Sequence, residues 1–163
     1  MIPYGKQDIN QADIDSIVNV LQSDFLTQGS QIPLFEKTVS EYCSVEYGVA
    51  VNSATSALHI ACLALGLGEG DYLWTSPNSF VASANCGLYC GAKIDFVDID
   101  ATTLNMCMGS LKHKLEAAAK EGALPKVVIP VHFSGEPCDM EVIYLLSKKY
   151  GFTLDELKKE KIK

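Results

Sequence analysis

Lys126-Val127-Val128-Ile129-Pro130-Val131 decides the fold class. The consecutive β-branched residues leave no polar face, so a strand over 127–131 is covered on both sides. Burial on both faces is the habit of parallel sheets, whose crossover helices lie above and below. The flanking sequence supplies such helices. Ser110 to Glu121 reads as one before the strand, and Asp139 to Tyr150 as one after it.

The same alternation extends toward the N-terminus. Lys93 to Val97 and Tyr72 to Thr75 read as strands, and Ser79 to Tyr89 as a helix after the break at Pro77. Ser53 caps a very apolar helix that runs through Leu65 and ends at Gly66 and Gly68. Tyr47 to Asn52 reads as a further strand. Asn10 to Ser23 and Ser30 to Cys43 read as helices. The first has an Asn10–Asp13 capping box and Ile14, Ile17, Val18 and Leu21 on one face. The second has Pro33 in its first turn and Phe35, Val39 and Tyr42 facing inward. The chain thus predicts an α/β domain with a largely parallel sheet.

The last residues depart from this pattern. Thr153 and Glu156 make a capping box, so Thr153 to Lys163 reads as a short helical tail with four Lys in eleven residues.

Length and composition agree with one globular domain. The chain has 163 residues, 48% hydrophobic and 20% charged, with a net charge of −7. Its 13 basic residues are all Lys, so it offers no guanidinium fork, and nucleic acid and anionic membranes are poor partners. No apolar run reaches the ~20 residues of a membrane helix. Met1 to Lys6 shows no signal-peptide pattern, and a cytoplasmic location is expected. The six Cys include no CxxC pair and read as small reduced thiols.

Two turns could carry chemistry. In Val51-Asn52-Ser53-Ala54-Thr55-Ser56-Ala57-Leu58-His59, small and hydroxyl residues open a helix. Its first-turn N–H groups and positive dipole end suit an anion, and Ala54, Thr55 and Ser56 let it approach closely. Ordinary capping by Ser53 explains the same residues. In Thr75-Ser76-Pro77-Asn78-Ser79-Phe80-Val81-Ala82, the chain turns after a strand, at the edge where open α/β sheets bind ligands. Phe80 reads either as core or as a flat face for a ring. Of the three His, His59 reads as packed, His113 as solvated, and His132 lies at the ligand edge. No metal cluster or catalytic triad emerges.

These motifs, with Ala64-Leu65-Gly66-Leu67-Gly68-Glu69-Gly70-Asp71, Gly91 to Asp100 and Val131-His132-Phe133-Ser134-Gly135, resemble the DegT/StrS sugar-nucleotide aminotransferases in that family's order. Ile2-Pro3-Tyr4, Leu26-Thr27-Gln28-Gly29 and Phe35-Glu36 fit as well. The Ser-Ala-Thr-Ser-Ala form of the turn is most similar to the PseC-type subgroup. That subgroup aminates the 4-keto group of a UDP-linked 4-keto-6-deoxy-N-acetyl sugar in pseudaminic acid biosynthesis, usually from glutamate.

The resemblance implies an aspartate-aminotransferase-like fold, fold type I, with pyridoxal 5'-phosphate as cofactor. Ala54, Thr55 and Ser56 would meet the cofactor phosphate and Phe80 would stack on its ring. Tyr4, Asp24, Phe25, Leu26, Thr27 and Ala54 would line the nucleotide-sugar side. It also implies a homodimer in the full-length family, acting on a nucleotide sugar and an amino-donor amino acid.

The match covers residues 1–152, with 153–163 as a tail outside the family pattern. Family members are more than twice as long. The Asp that pairs with the pyridine nitrogen, the Ser-Phe-x-x-x-Lys segment with the Schiff-base lysine, and the family's anion-binding Arg residues have no counterpart here. None of the 13 Lys stands in that context. The resemblance therefore implies the N-terminal part of a large domain, inactive alone, with weak or absent cofactor binding. A non-catalytic remnant, or a partner subunit for a full-length homologue, is the alternative. The family's seven-stranded sheet would separate Tyr47–Asn52 from the other strands. Either a gap or a rearranged pairing is expected there, with Leu58, Leu63 and Leu65 uncovered.

Overall fold

A computed structural model describes residues 5–154. The chain divides into two compact units, Met1–Ala50 and Val51–Lys163.

The first unit holds two helices. α1, Gln11–Leu21, starts at a reciprocal cap. The Asn10 side chain accepts from the N–H groups of Ala12 and Asp13, and the Asn10 N–H donates to the Asp13 carboxylate at 2.9 Å. α2, Gln31–Cys43, ends at Ser44 in the left-handed region. α1 buries no residue and α2 buries only Ser40. Phe35, Val39 and Tyr42 do not face inward: all three are exposed, Tyr42 by 91%. Their helical spacing makes an apolar stripe, but a stripe is buried only where another element covers it.

Tyr47 to Asn52 forms no strand. Ala50 N–H instead donates to the Glu36 carboxylate of α2 at 2.9 Å, and Tyr47 and Val49 lie open. A strand exists only through its ladder, and this segment pairs with no other among the described residues.

The second unit is the α/β body. Its elements are α3 (Ala54–Ala64), β1 (Tyr72–Thr75), α4 (Ala82–Tyr89), β2 (Lys93–Phe96), α5 (Met108–Glu121), β3 (Val127–Ile129), α6 (Met140–Tyr150) and β4 (Thr153–Leu154). A short 3-10 turn at Phe133–Gly135 precedes α6. The sheet order is β2-β1-β3-β4, and every pair is parallel. Within 72–150 the expected strands and helices form, with β2 ending at Phe96 and β3 at Ile129, each earlier than predicted, and α4 starting later than predicted, at Ala82.

Thr153 and Leu154 correct the reading of the tail. They extend the sheet beside Val127 and Val128 rather than open a helix, and Thr153 N–H donates to the Lys126 carbonyl at 2.8 Å. The rest of the expected tail helix lies outside the described residues.

The strands distribute their side chains by the period of two. Trp74 and Val128 join Leu111, Leu115, Ile143 and Phe152 in a core with α5 and α6. Leu73, Val127 and Ile129 join Cys62, Leu67 and Cys86 in a second core with α3 and α4. Leu58 and Leu65 pack partly against this second core, while Leu63 is exposed.

The sheet fixes one end of α3. Lys126, at the start of β3, donates from Nζ to the Gly66 carbonyl just beyond α3 at 2.6 Å. The C-terminal end of α3 is thereby held at the amino edge of the sheet.

Candidate cofactor site

The first turn of α3 is built from hydroxyls and small side chains. Ser53 is extended, and its Oγ accepts from Ser56 N–H at 3.2 Å. Ser56 Oγ donates to Asn52 Oδ1 at 2.7 Å. The Ser53 and Ser56 hydroxyls are thus engaged in holding the turn. Ala54 and Thr55 follow Ser53, with Ala54 exposed and Thr55 half-buried. Their N–H groups precede the first intrahelical acceptors, and the Thr55 hydroxyl stands beside them. This donor set fits an anion: backbone N–H groups, a hydroxyl and a helix dipole, with only a methyl group at Ala54 to crowd the approach.

α4 packs beside α3, and the His59 and Tyr89 rings meet edge to face at 5.3 Å between centroids. The turn before α4 carries Phe80, which is 75% exposed and so is no core residue. Ser83 N–H donates to the Phe80 carbonyl at 3.1 Å, and the Ser79 and Ser83 hydroxyls lie 2.9 Å apart. The turn is therefore fixed while the ring stays open.

The carboxyl-edge loops are tied to one another. Asn78 donates to the Leu104 carbonyl at 2.8 Å. Asn105 links to Phe133 and Glu136. His132, exposed after β3, accepts the Cys138 N–H on Nδ1 at 3.0 Å. Neither Asn78 nor Asn105 stands out in the sequence as a site residue, because their partners lie 26–31 residues away.

The other expected site residues lie in the first unit. Asp24, Phe25, Leu26 and Thr27 follow α1, and Phe25 and Leu26 line a groove of about 250 Å³ with Gly29, Ser30 and Ile32. Tyr4 lies outside the described residues. Among the described residues no helix is long and apolar enough to cross a membrane, and no group of three or more His, Cys, Asp or Glu could hold a metal.

Helices over a parallel sheet, superposing on a PLP-form sugar aminotransferase, define part of the large domain of a fold-type I aminotransferase. The chain belongs to the DegT/DnrJ/EryC1/StrS aminotransferase family, whose pattern matches residues 7–156. Pyridoxal phosphate is the cofactor of that family.

Two curated relatives are the spore coat polysaccharide biosynthesis protein SpsC of Bacillus subtilis, 38% identical over 156 residues, and the UDP-4-amino-4,6-dideoxy-N-acetyl-beta-L-altrosamine transaminase of Campylobacter jejuni, 39% identical over 156. The matches take in 95% and 94% of this chain. The chain spans 39% and 40% of those proteins' lengths. Spr1654 of Streptococcus pneumoniae, in its PLP form, superposes with a TM-score of 0.81 at 31% identity, over 97% of this chain and 39% of that one.

Proposed function

We propose that this chain supplies the phosphate seat and one ring-facing wall of a pyridoxal-phosphate-dependent nucleotide-sugar aminotransferase. The supporting observation is the Ser53–Ser56 turn, whose side chains hold the helix start and leave the N–H groups of Ala54 and Thr55 for an anion. Ala54 and Thr55 would hold the phosphate, with Ser56 beside them holding the turn. Phe80 would cover one face of the ring and exclude water from it. The bound cofactor supplies the electron sink for amino-group transfer.

The substrate reading is a UDP-linked 4-keto-6-deoxy-N-acetyl sugar, aminated at its 4-keto group, with glutamate as donor. Support comes from the name of the Campylobacter jejuni relative and from the Ser-Ala-Thr-Ser-Ala turn. Tyr4, Asp24 to Thr27 and Ala54 would line the sugar side. Cytoplasmic action as a homodimer in pseudaminic acid biosynthesis completes this reading.

The residues present hold no Lys in the Ser-Phe-x-x-x-Lys context, and a proton-transfer base is needed for turnover. We therefore propose that these 163 residues do not transaminate alone. Assaying the purified chain with pyridoxal phosphate, glutamate and a UDP-4-keto sugar tests this. Turnover at the rate of a complete relative would contradict it.

A further inference from the structure

Two asparagine side chains join the loops that follow β1, β2 and β3. Asn78, after β1, donates from Nδ2 to the Leu104 carbonyl at 2.8 Å. Asn105, 4% exposed, continues from the next residue. Its Oδ1 accepts the Phe133 N–H at 2.8 Å and its Nδ2 donates to the Glu136 carbonyl at 2.9 Å. These partners fix the amide orientation, since a flip would oppose donor to donor and acceptor to acceptor. Leu104 between them is left-handed, at φ 60°, a conformation a leucine keeps only where its surroundings impose it.

We infer that Asn78 and Asn105 are positioning residues of the cofactor site, fixing the turn that carries Phe80 against the loops after β2 and β3. The inference rests on the reading of Phe80 as the ring-facing wall. An exposed ring has little packing of its own to place it, so its position is set by its backbone. On the α4 side that backbone is held by Ser83. On the loop side Ser79 is tied only back to Ser83 of α4, and the anchor to the neighbouring loops is Asn78, two residues away, whose acceptor is itself held through Asn105. A site works only when its supporting contacts hold it within about 0.5 Å, which is the service this relay performs.

The two ligand parts separate positioning from plain stability. Inorganic phosphate engages the α3 turn alone, whereas pyridoxal phosphate also engages Phe80. The 163-residue chain and its Asn78→Ala, Asn105→Leu, Phe80→Ala and Asn78→Ala/Phe80→Ala variants are titrated with each ligand, with thermal midpoints alongside. Asn78→Ala and Asn105→Leu are expected to lose about tenfold in pyridoxal phosphate affinity and less than about twofold in phosphate affinity. The double variant is expected to lose no more than Phe80→Ala alone, as coupled residues do. Asn78 is only half-buried, so Asn78→Ala carries the test if Asn105→Leu does not fold. Equal losses for both ligands, or additive losses in the double variant, overturn the inference. A loss in Phe80→Ala with none in Asn78→Ala overturns the inference alone. No loss in Phe80→Ala overturns the reading of Phe80 and the inference with it.

Discussion

Lys126 Nζ stands 2.8 Å from Asp71 Oδ2, joining the start of β3 to the turn that leads into β1. The Lys126 hydrogen bond, with a further one from the Gly68 N–H, holds the Asp71 carboxyl below its ordinary 3.8 despite partial desolvation. A carboxylate whose folded pKa lies under its unfolded value stabilises the fold above the unfolded value. That contribution is lost as pH falls through the folded value. Asp71→Asn is therefore expected to flatten the loss of stability below about pH 3.8, measured by urea melts across acid pH. An unchanged acid limb would show that the pair contributes nothing.

Gly87 marks the closest approach of α4 to the sheet. A Cβ built there would meet Ile94 Cδ1 at 2.5 Å and Leu73 Cβ at 3.2 Å. The Ile94 terminus can swing aside, but Leu73 is fully buried and its Cβ cannot. Gly87→Val is expected to destabilise the second unit by about 1–3 kcal/mol, the usual cost of overpacking, read from thermal or urea melts. A neutral result would mean that α4 slides freely over β1.

Two half-buried thiols differ in their surroundings. At the start of α5, Cys107 is held below the ordinary thiol pKa by the Ser110 hydroxyl and N–H. Cys90 is pushed up by burial and by Cys86. Iodoacetamide is thus expected to label Cys107 before Cys90 at pH 8, as followed by peptide mass spectrometry, because the thiolate is the reacting species. The reverse order would contradict this assignment.

The first unit leaves much apolar surface open. Ile17 is 60% exposed, Phe25 70% and Phe35 59%. Exposed apolar faces, and a β4 edge that carries no further strand among the described residues, favour association or loose packing. The isolated chain is expected to bind a hydrophobic dye and to self-associate in sedimentation. A monodisperse monomer with a sharp cooperative melt would contradict this.

Most of the fold was legible because local chemistry and tertiary demand agree. Val127 to Ile129 has no polar face and lies between two helical layers. The Asn10–Asp13 cap forms as its residues dictate. Where local signals failed, a non-local partner decided. Tyr47 to Asn52 has strand-like residues but no paired neighbour, so Glu36 takes the Ala50 N–H. Thr153 has capping chemistry, but the Lys126 carbonyl offered a ladder bond. At the candidate site, the α3 turn was readable because its contacts span only three or four residues. The Asn78 and Asn105 links were not, since nothing adjacent in sequence announces them.

The central claim is that the α3 turn seats the phosphate of pyridoxal phosphate, and calorimetric titration of Thr55→Val beside the unaltered chain tests it most directly. The variant keeps the shape of residue 55 and removes only its hydroxyl. The account predicts weaker binding by roughly 1.5–3 kcal/mol, the worth of one hydrogen bond to a charged group. Identical affinity in the two proteins would show that the Thr55 side chain holds no phosphate, and absence of binding in both would contradict the seat itself.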